Sequence, residues 1–333
     1  MKVVSVLFTV TLILLGLAGC GDSTGPEEVY RSQISVISTS TSSIIADYDL
    51  DDVECDGLVM SPDGSSLYIW GYYSAIAQVS SSTGSMTGYM DCDGYNPCDL
   101  ALNESGTELY VLSHNDLHIV NTASMKEIGT IELGMGISWA MEMRPGTDLL
   151  YLQRDYEGGD GTFVVDVIQG AITDTLGVSS EIMAFSHDGD MLYMAQGSEL
   201  IKVDPESGQQ LLEVTLPGMV INMCVAEGFG MIYATWHGDF ASPDGGVSEI
   251  NPNSFLIERG IAQPGYACHV CCVESLDLLY VSGTEDHKIM VIDLDTFQPA
   301  GEIDVEQYVR GLIKSPGDDF VYCPVFNDEE SAG

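Results

Sequence analysis

The sequence predicts an all-β protein: a seven-bladed β-propeller of four-stranded antiparallel blades, in which N-terminal strands join the C-terminal blade and close the ring. Three observations predict it. A turn followed by an apolar–tyrosine pair recurs seven times, short apolar runs flank each pair, and the two ends of the chain each supply half a unit. A repeat of roughly forty residues with several short strands per unit is typical of a propeller.

The recurring stretch is first seen as "SPDGSSLYI", which begins at Ser61 and ends at Ile69. The spacings between successive apolar anchors are 42, 41, 42, 40, 47 and 42 residues. Such a regular period indicates one supersecondary unit repeated around a ring. The anchors, each followed by tyrosine, are Leu67, Leu109, Leu150, Leu192, Ile232, Leu279 and Val321.

Each unit contains four apolar runs, which in the first unit are "GLVMS", "LYIWG", "IAQVS" and "SMTGYM". The third run recurs as "LHIVN", "FVVD", "LIKVD", "VSEIN" and "IMVID". Asp and Asn favour turns because their side chains bond to nearby backbone groups. We therefore interpret Asp166, Asp204 and Asp293, which end third runs, as turn formers rather than ligand groups.

The seventh unit lacks its third and fourth runs after Val321, and the start of the chain supplies them. "ISVIS" from Ile34 has the third-run pattern and "SIIADYDL" from Ser43 has the fourth. A blade built from both termini leaves no open strand edge. We therefore expect a propeller domain over 33–327 and an acidic tail over 328–333.

The repeats resemble the YVTN-type β-propeller repeat, whose pattern is roughly P-x-x-V-A-x-S-P-D-G-x-x-L-Y-V followed by V-x-V-I-D. The resemblance covers residues 34–326. The family proline that opens the innermost strand is present only as Pro97, and the fifth and sixth units have "EGFG" and "ESLD" in place of the Asp-Gly turn. The resemblance implies a secreted, usually non-catalytic propeller with surface or binding roles, and it names no ligand.

The N-terminus has the features of an export signal. An apolar run over residues 3–17 is too short for a stable spanning helix and ends in Leu17-Ala18-Gly19-Cys20. This ending resembles a bacterial lipobox. It implies a signal peptide over 1–19, lipidation of Cys20 and a flexible tether over 20–32; the alternative is an ordinary secretory signal that contains a Cys. The expected location is the bacterial cell envelope, lipid-anchored, and either periplasmic or surface-exposed.

The charge of the chain excludes some partners. Ten Lys plus Arg stand against 51 Asp plus Glu, which gives a net charge of -41. Nucleic acid and anionic lipid surfaces both require basic patches, so we expect neither as a partner of the domain. The acidic residues are interpreted as a solvated surface of a monomer, with calcium sites as the alternative; the chain has no EF-hand loop.

One face of the ring is predicted to bind a ligand. The starts of the innermost strands and the loops between second and third strands share this face, which we call the mouth. Aromatic side chains with a few convergent polar groups are typical of binding patches. The candidate ligand-binding residues at the mouth are Trp139, Tyr156, Glu181, Asn222, Trp236, His237, His269, His287 and Arg310.

The predicted function is a non-catalytic binding or scaffold module that contacts an envelope protein, peptide or glycan and needs no cofactor. No G-x-S-x-G, H-E-x-x-H or P-loop motif is present. One alternative is a lactonase-like or oxidoreductase-like enzyme that depends on a metal or cofactor, for which His237, His269 and His287 could bind zinc or copper. Another alternative is a structural surface-layer component.

Nine cysteines are present, and lipidation of one would leave eight. Export leads to an oxidising compartment, which allows disulfides. Cys224 and Cys271 occupy equivalent positions, eight residues before their anchors. If the blades stack in one sense, the expected pairs are Cys224–Cys272 and Cys271–Cys323, with Cys92–Cys98 as a local pair; the alternative is that these cysteines are small buried apolar side chains.

Overall fold

The computed structural model describes residues 31–50, 53–71, 75–92, 96–134, 140–154, 161–226, 228–238, 244–264, 267–283, 287–305 and 308–327. Within these residues the structure consists of seven antiparallel sheets, each contributing one blade to a ring. The predicted propeller and its blade count are confirmed. The signal peptide, Cys20, the tether and the acidic tail lie outside the described residues.

The strands follow the predicted runs. The first two, β1 (Arg31–Ser38) and β2 (Ser43–Asp49), belong to blade 7. Blade 1 contains β3 (Gly57–Met60), β4 (Ser66–Trp70), β5 (Ala75–Ser80) and β6 (Met86–Asp91), and blade 2 contains β7 (Asp99–Leu102), β8 (Glu108–Leu112), β9 (Asp116–Asn121) and β10 (Lys126–Glu132). Blade 3 contains β11 (Met141–Met143), β12 (Leu149–Arg154), β13 (Gly161–Asp166) and β14 (Ala171–Leu176).

Blade 4 contains β15 (Ile182–Phe185), β16 (Leu192–Gln196), β17 (Glu199–Val203) and β18 (Gln210–Thr215). Blade 5 contains β19 (Met219–Ala226), β20 (Met231–His237), β21 (Asp244–Ile250) and β22 (Ile257–Pro264). Blade 6 contains β23 (Ala267–Val273), the 3-10 turn Glu274–Leu276, β24 (Leu278–Gly283), β25 (Lys288–Asp293) and β26 (Gln298–Asp304). Blade 7 is completed by β27 (Tyr308–Val309), β28 (Ile313–Lys314) and β29 (Phe320–Asn327).

The ring closes as predicted. Strand β1 pairs with β29 in antiparallel register from Arg31↔Asn327 to Ser38↔Phe320. The hydroxyl of Thr39 donates to the carbonyl of Asp318 at 2.6 Å, which ties the end of β1 to the turn before β29. The innermost strand of blade 7 is split into β27 and β28, which pair separately with β29. Both ends of the chain therefore contribute to one sheet, and no strand edge is left open at the closure.

The repeat length is set by two turns in each blade that place one residue at positive φ. In the turn between first and second strands these residues are Gly64, Gly106, Gly146, Gly189, Gly230, Asp277 and Asp318. In the turn between third and fourth strands they are Gly84, Met125, Gly170, Gly208, Phe255, Phe297 and Ser42. The unusual "EGFG" and "ESLD" turns thus keep the register, because Gly230 and Asp277 occupy the same left-handed position as the other units.

The repeated tyrosine joins each blade to the next. The hydroxyl of Tyr151 in blade 3 donates to the carbonyl of Pro205 in blade 4 at 3.1 Å. The rings of Tyr193 and Phe255, from blades 4 and 5, stack at 6.3 Å. Similar contacts link Tyr233 with Phe297, Tyr280 with Ser42, and Tyr322 with Ser81. In the described residues seven apolar clusters lie between neighbouring blades, so the core is a ring of interfaces around the channel.

Gly84 and Gly170 provide a matched test of this inter-blade packing. Both have positive φ in the same turn, but a Cβ at Gly84 would lie 2.3 Å from Cδ1 of Tyr48, whereas a Cβ at Gly170 meets nothing within 4 Å. Tyr48 is on the closing strand β2, and its hydroxyl donates to the carbonyl of Ser81 at 2.8 Å. We expect Gly170→Ala to cost about 1–2 kcal/mol for the left-handed backbone. Gly84→Ala should cost roughly 1–3 kcal/mol more from overpacking.

Equilibrium unfolding in urea would measure both losses. Equal midpoints for the two variants would contradict the expectation and would show that the Tyr48 ring moves aside at no cost.

Candidate functional site

The mouth brings together charged and polar side chains from blades 6, 7 and 1. Glu54 and Asp56 precede β3, His269 lies on β23, and Arg310 follows β27. The Arg310 guanidinium lies 5.4 Å from the centre of the Phe326 ring. Burial and the neighbouring Asp56 raise the pKa of Glu54, while Arg310 lowers it. These mutual effects place the side chains within electrostatic reach of one another.

His269 is held in its neutral form at the mouth. Burial, with the neighbouring Arg310 cation, lowers the pKa of His269 to about 4. Its backbone N–H donates to the hydroxyl of Ser282 at 3.1 Å, on the adjacent strand β24. A neutral imidazole carries one N–H donor and one acceptor nitrogen, so His269 can offer hydrogen bonds without adding charge.

Arg310 differs from most other cations of the structure. Among the described residues, four cations form ion pairs: Arg144 with Glu206, Arg259 with Glu249, Lys288 with Glu302, and Lys314 with Asp318. Arg310 forms no ion pair with any described carboxylate, although Glu54 is close enough to influence it. In a chain of net charge -41, this leaves a cation at the mouth with hydrogen-bond donors that an incoming group can use.

Asn222 has a structural role. Its Oδ1 accepts a hydrogen bond from the backbone N–H of Val270 at 3.3 Å, which joins β19 of blade 5 to β23 of blade 6. Asp99 makes the equivalent contact, since its Oδ2 accepts from the backbone N–H of Met141 at 2.9 Å, between blades 2 and 3. The carbonyl oxygen of Asn222 is thus already used to hold two blades together. A ligand contact for Asn222 stays a prediction.

The structure places Trp236, another of the predicted mouth residues, in the core, and a ligand contact for it stays a prediction. Its side chain is 9% exposed, packs in the apolar cluster between blades 4 and 5, and donates from Nε1 to the hydroxyl of Ser248 at 3.1 Å. The indole is therefore a core side chain. Trp236 lies near the end of a second strand, and this position suggested a ligand contact. Packing decides on which side of the sheet the indole ring lies.

The other predicted mouth residues are spread around the ring. His237 ends β20, and its Nδ1 is 2.5 Å from the carbonyl oxygen of Gly238. His287 contacts the half-exposed Tyr308 ring edge-on, with 4.9 Å between centroids. Glu181 is exposed before β15. Trp139 and Tyr156 lie outside the described residues. Across the described ranges no group of three or more His, Cys, Asp or Glu side chains is placed to hold a metal ion.

A second feature of the channel, not predicted, is a pair of carboxyl groups on the innermost strands β7 and β11. Burial raises the pKa of Asp99 to about 7, although two backbone N–H groups lower it. Burial and the nearby Asp99 raise the pKa of Glu142 to about 8. The sequence does carry a signal for Glu142, because the equivalent residues of the other blades are Val59, Ala101, Ala184, Cys224, Cys271 and Ile313.

All eight described cysteines are thiols, so none of the three predicted bridges is formed in the structure. Cys224 lies beside Cys272, as the stacking argument predicts. Cys271 and Cys323 share the apolar cluster between blades 6 and 7, and both are free thiols. Burial and the neighbouring Asp56 raise the pKa of Cys55, and the Cys323 thiol raises it further. Cys55 and Cys323 therefore lie near each other. Cys98 contacts Nδ1 of His114 at 3.6 Å.

The face opposite the mouth consists of turns whose polar groups bond to each other. Asp166, Asp204 and Asp293 each accept backbone N–H bonds within their own turns, which confirms them as turn formers. A shallow groove of about 550 Å³ lies there between the turns of blades 2 and 3. Glu104 lines it, at the position where blades 1 and 7 have Pro62 and Pro316, whose rings pack on Gly106 and Gly64 of the next blade.

Comparison with solved structures agrees with this architecture. Kuenenia stuttgartiensis hydrazine synthase is similar, with a TM-score of 0.71 and 15% identity over 82% of this chain and 95% of that chain. The β-propeller domain of Myceliophteria thermophila Cps50 (Swd1) is similar with a TM-score of 0.63 and 9% identity, over 81% of this chain and 96% of that domain. The chain is a seven-bladed β-propeller.

No protein-family model and no curated protein matches this propeller. Its YVTN-type resemblance therefore rests on the repeat itself. Identities this low to the solved structures show the fold alone, and one fold hosts many functions. No helix among the described residues has the length and hydropathy needed to span a bilayer.

Proposed function

We propose that the protein is a bacterial lipoprotein of the YVTN-type propeller kind, anchored to the cell envelope through Cys20, and that its mouth binds an envelope protein, peptide or glycan without catalysis. The proposed binding role rests on the environment of Arg310. This arginine is a partly buried cation at the channel mouth with no ion pair to a described carboxylate, beside the neutral donor and acceptor His269.

The contrast between the two faces supports the mouth as the binding surface. On the opposite face, turn carboxylates such as Asp63 and Asp188 accept hydrogen bonds from their own serines at 2.6 Å. Groups that are already satisfied gain little from a ligand. Arg310 and His269 carry donors and acceptors that a hydroxyl, amide or carboxylate of a partner can use.

The alternative functions have no comparable support. No observation comparable to Arg310 favours a metal-dependent enzyme or a surface-layer component. The likeness to hydrazine synthase supports an enzyme no further than the shared fold.

The test is binding of the mature protein to peptide and glycan arrays, with Arg310→Gln as the variant. We expect Arg310→Gln to weaken binding about tenfold or more, because a hydrogen bond to a charged group contributes roughly 1.5–3 kcal/mol. Lys126→Gln is the control, since Lys126 is an exposed cation on the outermost strand β10. If the two variants lose affinity equally for every captured ligand, the mouth is not the binding surface.

A further inference from the structure

The register between the innermost strands of blades 5 and 6 brings two cysteines together. Asn222 on β19 accepts a hydrogen bond from the N–H of Val270 on β23. Both strands run in the same direction along the channel, and side chains two residues apart lie on the same side of a strand. Two residues further along each strand are Cys224 and Cys272. This register turns the Cys224 side chain toward Cys272 on β23, in the apolar cluster between blades 5 and 6.

The surroundings hold this pair in a closed apolar site. Cys272 is 5% exposed in the cluster between blades 5 and 6, and Cys224 packs against that cluster. Burial raises the pKa of Cys224, and Cys272 is the neighbouring thiol that raises it most. The adjacent Cys271 lies in the other cluster, between blades 6 and 7.

We propose that Cys224 and Cys272 are a disulfide-forming site that links blade 5 to blade 6 beside the mouth. The proposal takes its natural oxidising compartment from the proposed export, but it does not depend on ligand binding. The bridge would hold β19 against β23 at the point where Asn222 and His269 stand. Thr235 already donates to the Cys268 carbonyl at 2.9 Å across the same interface.

The chemistry is thiol–disulfide exchange with a low-molecular-weight disulfide such as glutathione disulfide. Cys224 loses its proton to solvent, and its thiolate attacks one glutathione sulfur and releases glutathione thiolate. The Cys272 thiolate, after losing its own proton, then attacks the Cys224 sulfur and releases the second glutathione. Two protein thiols are oxidised and one glutathione disulfide is reduced. Because burial raises both thiol pKa values, the exchange should be faster at higher pH.

The experiment incubates the mature protein with glutathione disulfide at pH 8.5, alkylates the remaining thiols under native and then denaturing conditions, and maps unreduced peptides by mass spectrometry. We expect a Cys224–Cys272 peptide, the loss of two alkylatable thiols and a thermal midpoint several degrees higher than that of the reduced protein. Because Cys271 and Cys272 share a peptide, the Cys271→Ala variant assigns the link and should still form it.

Cys224→Ala and Cys272→Ala should each abolish both the cross-linked peptide and the rise in midpoint. Two variants are used so that the test remains decisive if one of them fails to fold. A link through Cys271 in the wild-type protein, or a folded protein that keeps all its thiols, would overturn the proposal. The oxidant is supplied, so a negative result would not bear on export or on binding at the mouth.

Discussion

Arg259→Met should lower the free energy of unfolding by about 3–5 kcal/mol, because it leaves a buried carboxylate without its cation. Glu249 is 2% exposed, and each of its carboxylate oxygens accepts a 2.6 Å hydrogen bond from the Arg259 guanidinium. Among the residues that the structure describes, the other donor to this carboxylate is the Tyr233 hydroxyl at 3.2 Å. One neutral hydrogen bond does not compensate a buried charge.

The same arginine joins two blades. Its guanidinium donates to the carbonyls of Leu294 at 2.9 Å and Asp295 at 3.1 Å, both in blade 6. It also lies over the Phe297 ring, with 4.7 Å from its carbon to the ring centre. Losing Arg259 therefore weakens the interface between blades 5 and 6 and also leaves the buried Glu249 carboxylate without its cation.

Urea denaturation of three variants would separate these effects. Lys288→Met, in the exposed pair with Glu302, should cost less than about 1 kcal/mol. The double variant Glu249→Met/Arg259→Met should recover most of the loss, because a buried ion pair replaced as a whole is often close to neutral. An Arg259→Met protein as stable as Lys288→Met would refute the buried-pair argument.

Glu142→Gln should stabilise the protein at pH 8 by about 2–4 kcal/mol, since each unit of pKa shift corresponds to about 1.4 kcal/mol. Burial and the neighbouring Asp99 raise the pKa of Glu142 to about 8, and burial raises that of Asp99 to about 7. Between about pH 4 and pH 8 the folded protein thus binds protons that the unfolded chain has lost. Stability from these groups is complete below about pH 4 and falls as pH rises through 7 and 8.

Unfolding free energies measured from pH 5 to pH 8.5 would test this. The wild-type curve should fall with pH in this window, and the Glu142→Gln curve should be flatter, with the two proteins within about 1 kcal/mol of each other at pH 5. Glu199→Gln is the control, because Glu199 is exposed on β17, and its curve should follow the wild type. Parallel wild-type and Glu142→Gln curves would show that Glu142 is not held protonated in the channel.

Local chemistry made much of the fold predictable. The Asp-Gly turns, the Leu–Tyr pairs and the third-strand Asp residues act within a few residues of one another, so their spacing specified seven blades and the closure by Ile34 and Ser43. Even the turns that departed from the pattern kept register, because Asp277 adopts the left-handed conformation that glycine adopts elsewhere. The export signal and Cys20 remain predictions, since they lie outside the described residues.

The contacts between blades were decided by the tertiary structure. The sequence placed Trp236 at the mouth, but its ring packs into the core. It paired Cys271 with Cys323, and these two lie in one apolar cluster between blades 6 and 7 but are free thiols. Nothing in the sequence indicates that Glu249 and Arg259 form an ion pair. A repeat specifies which strand a residue occupies, while the twist of each blade and the shape of its neighbour determine which side chains meet across an interface.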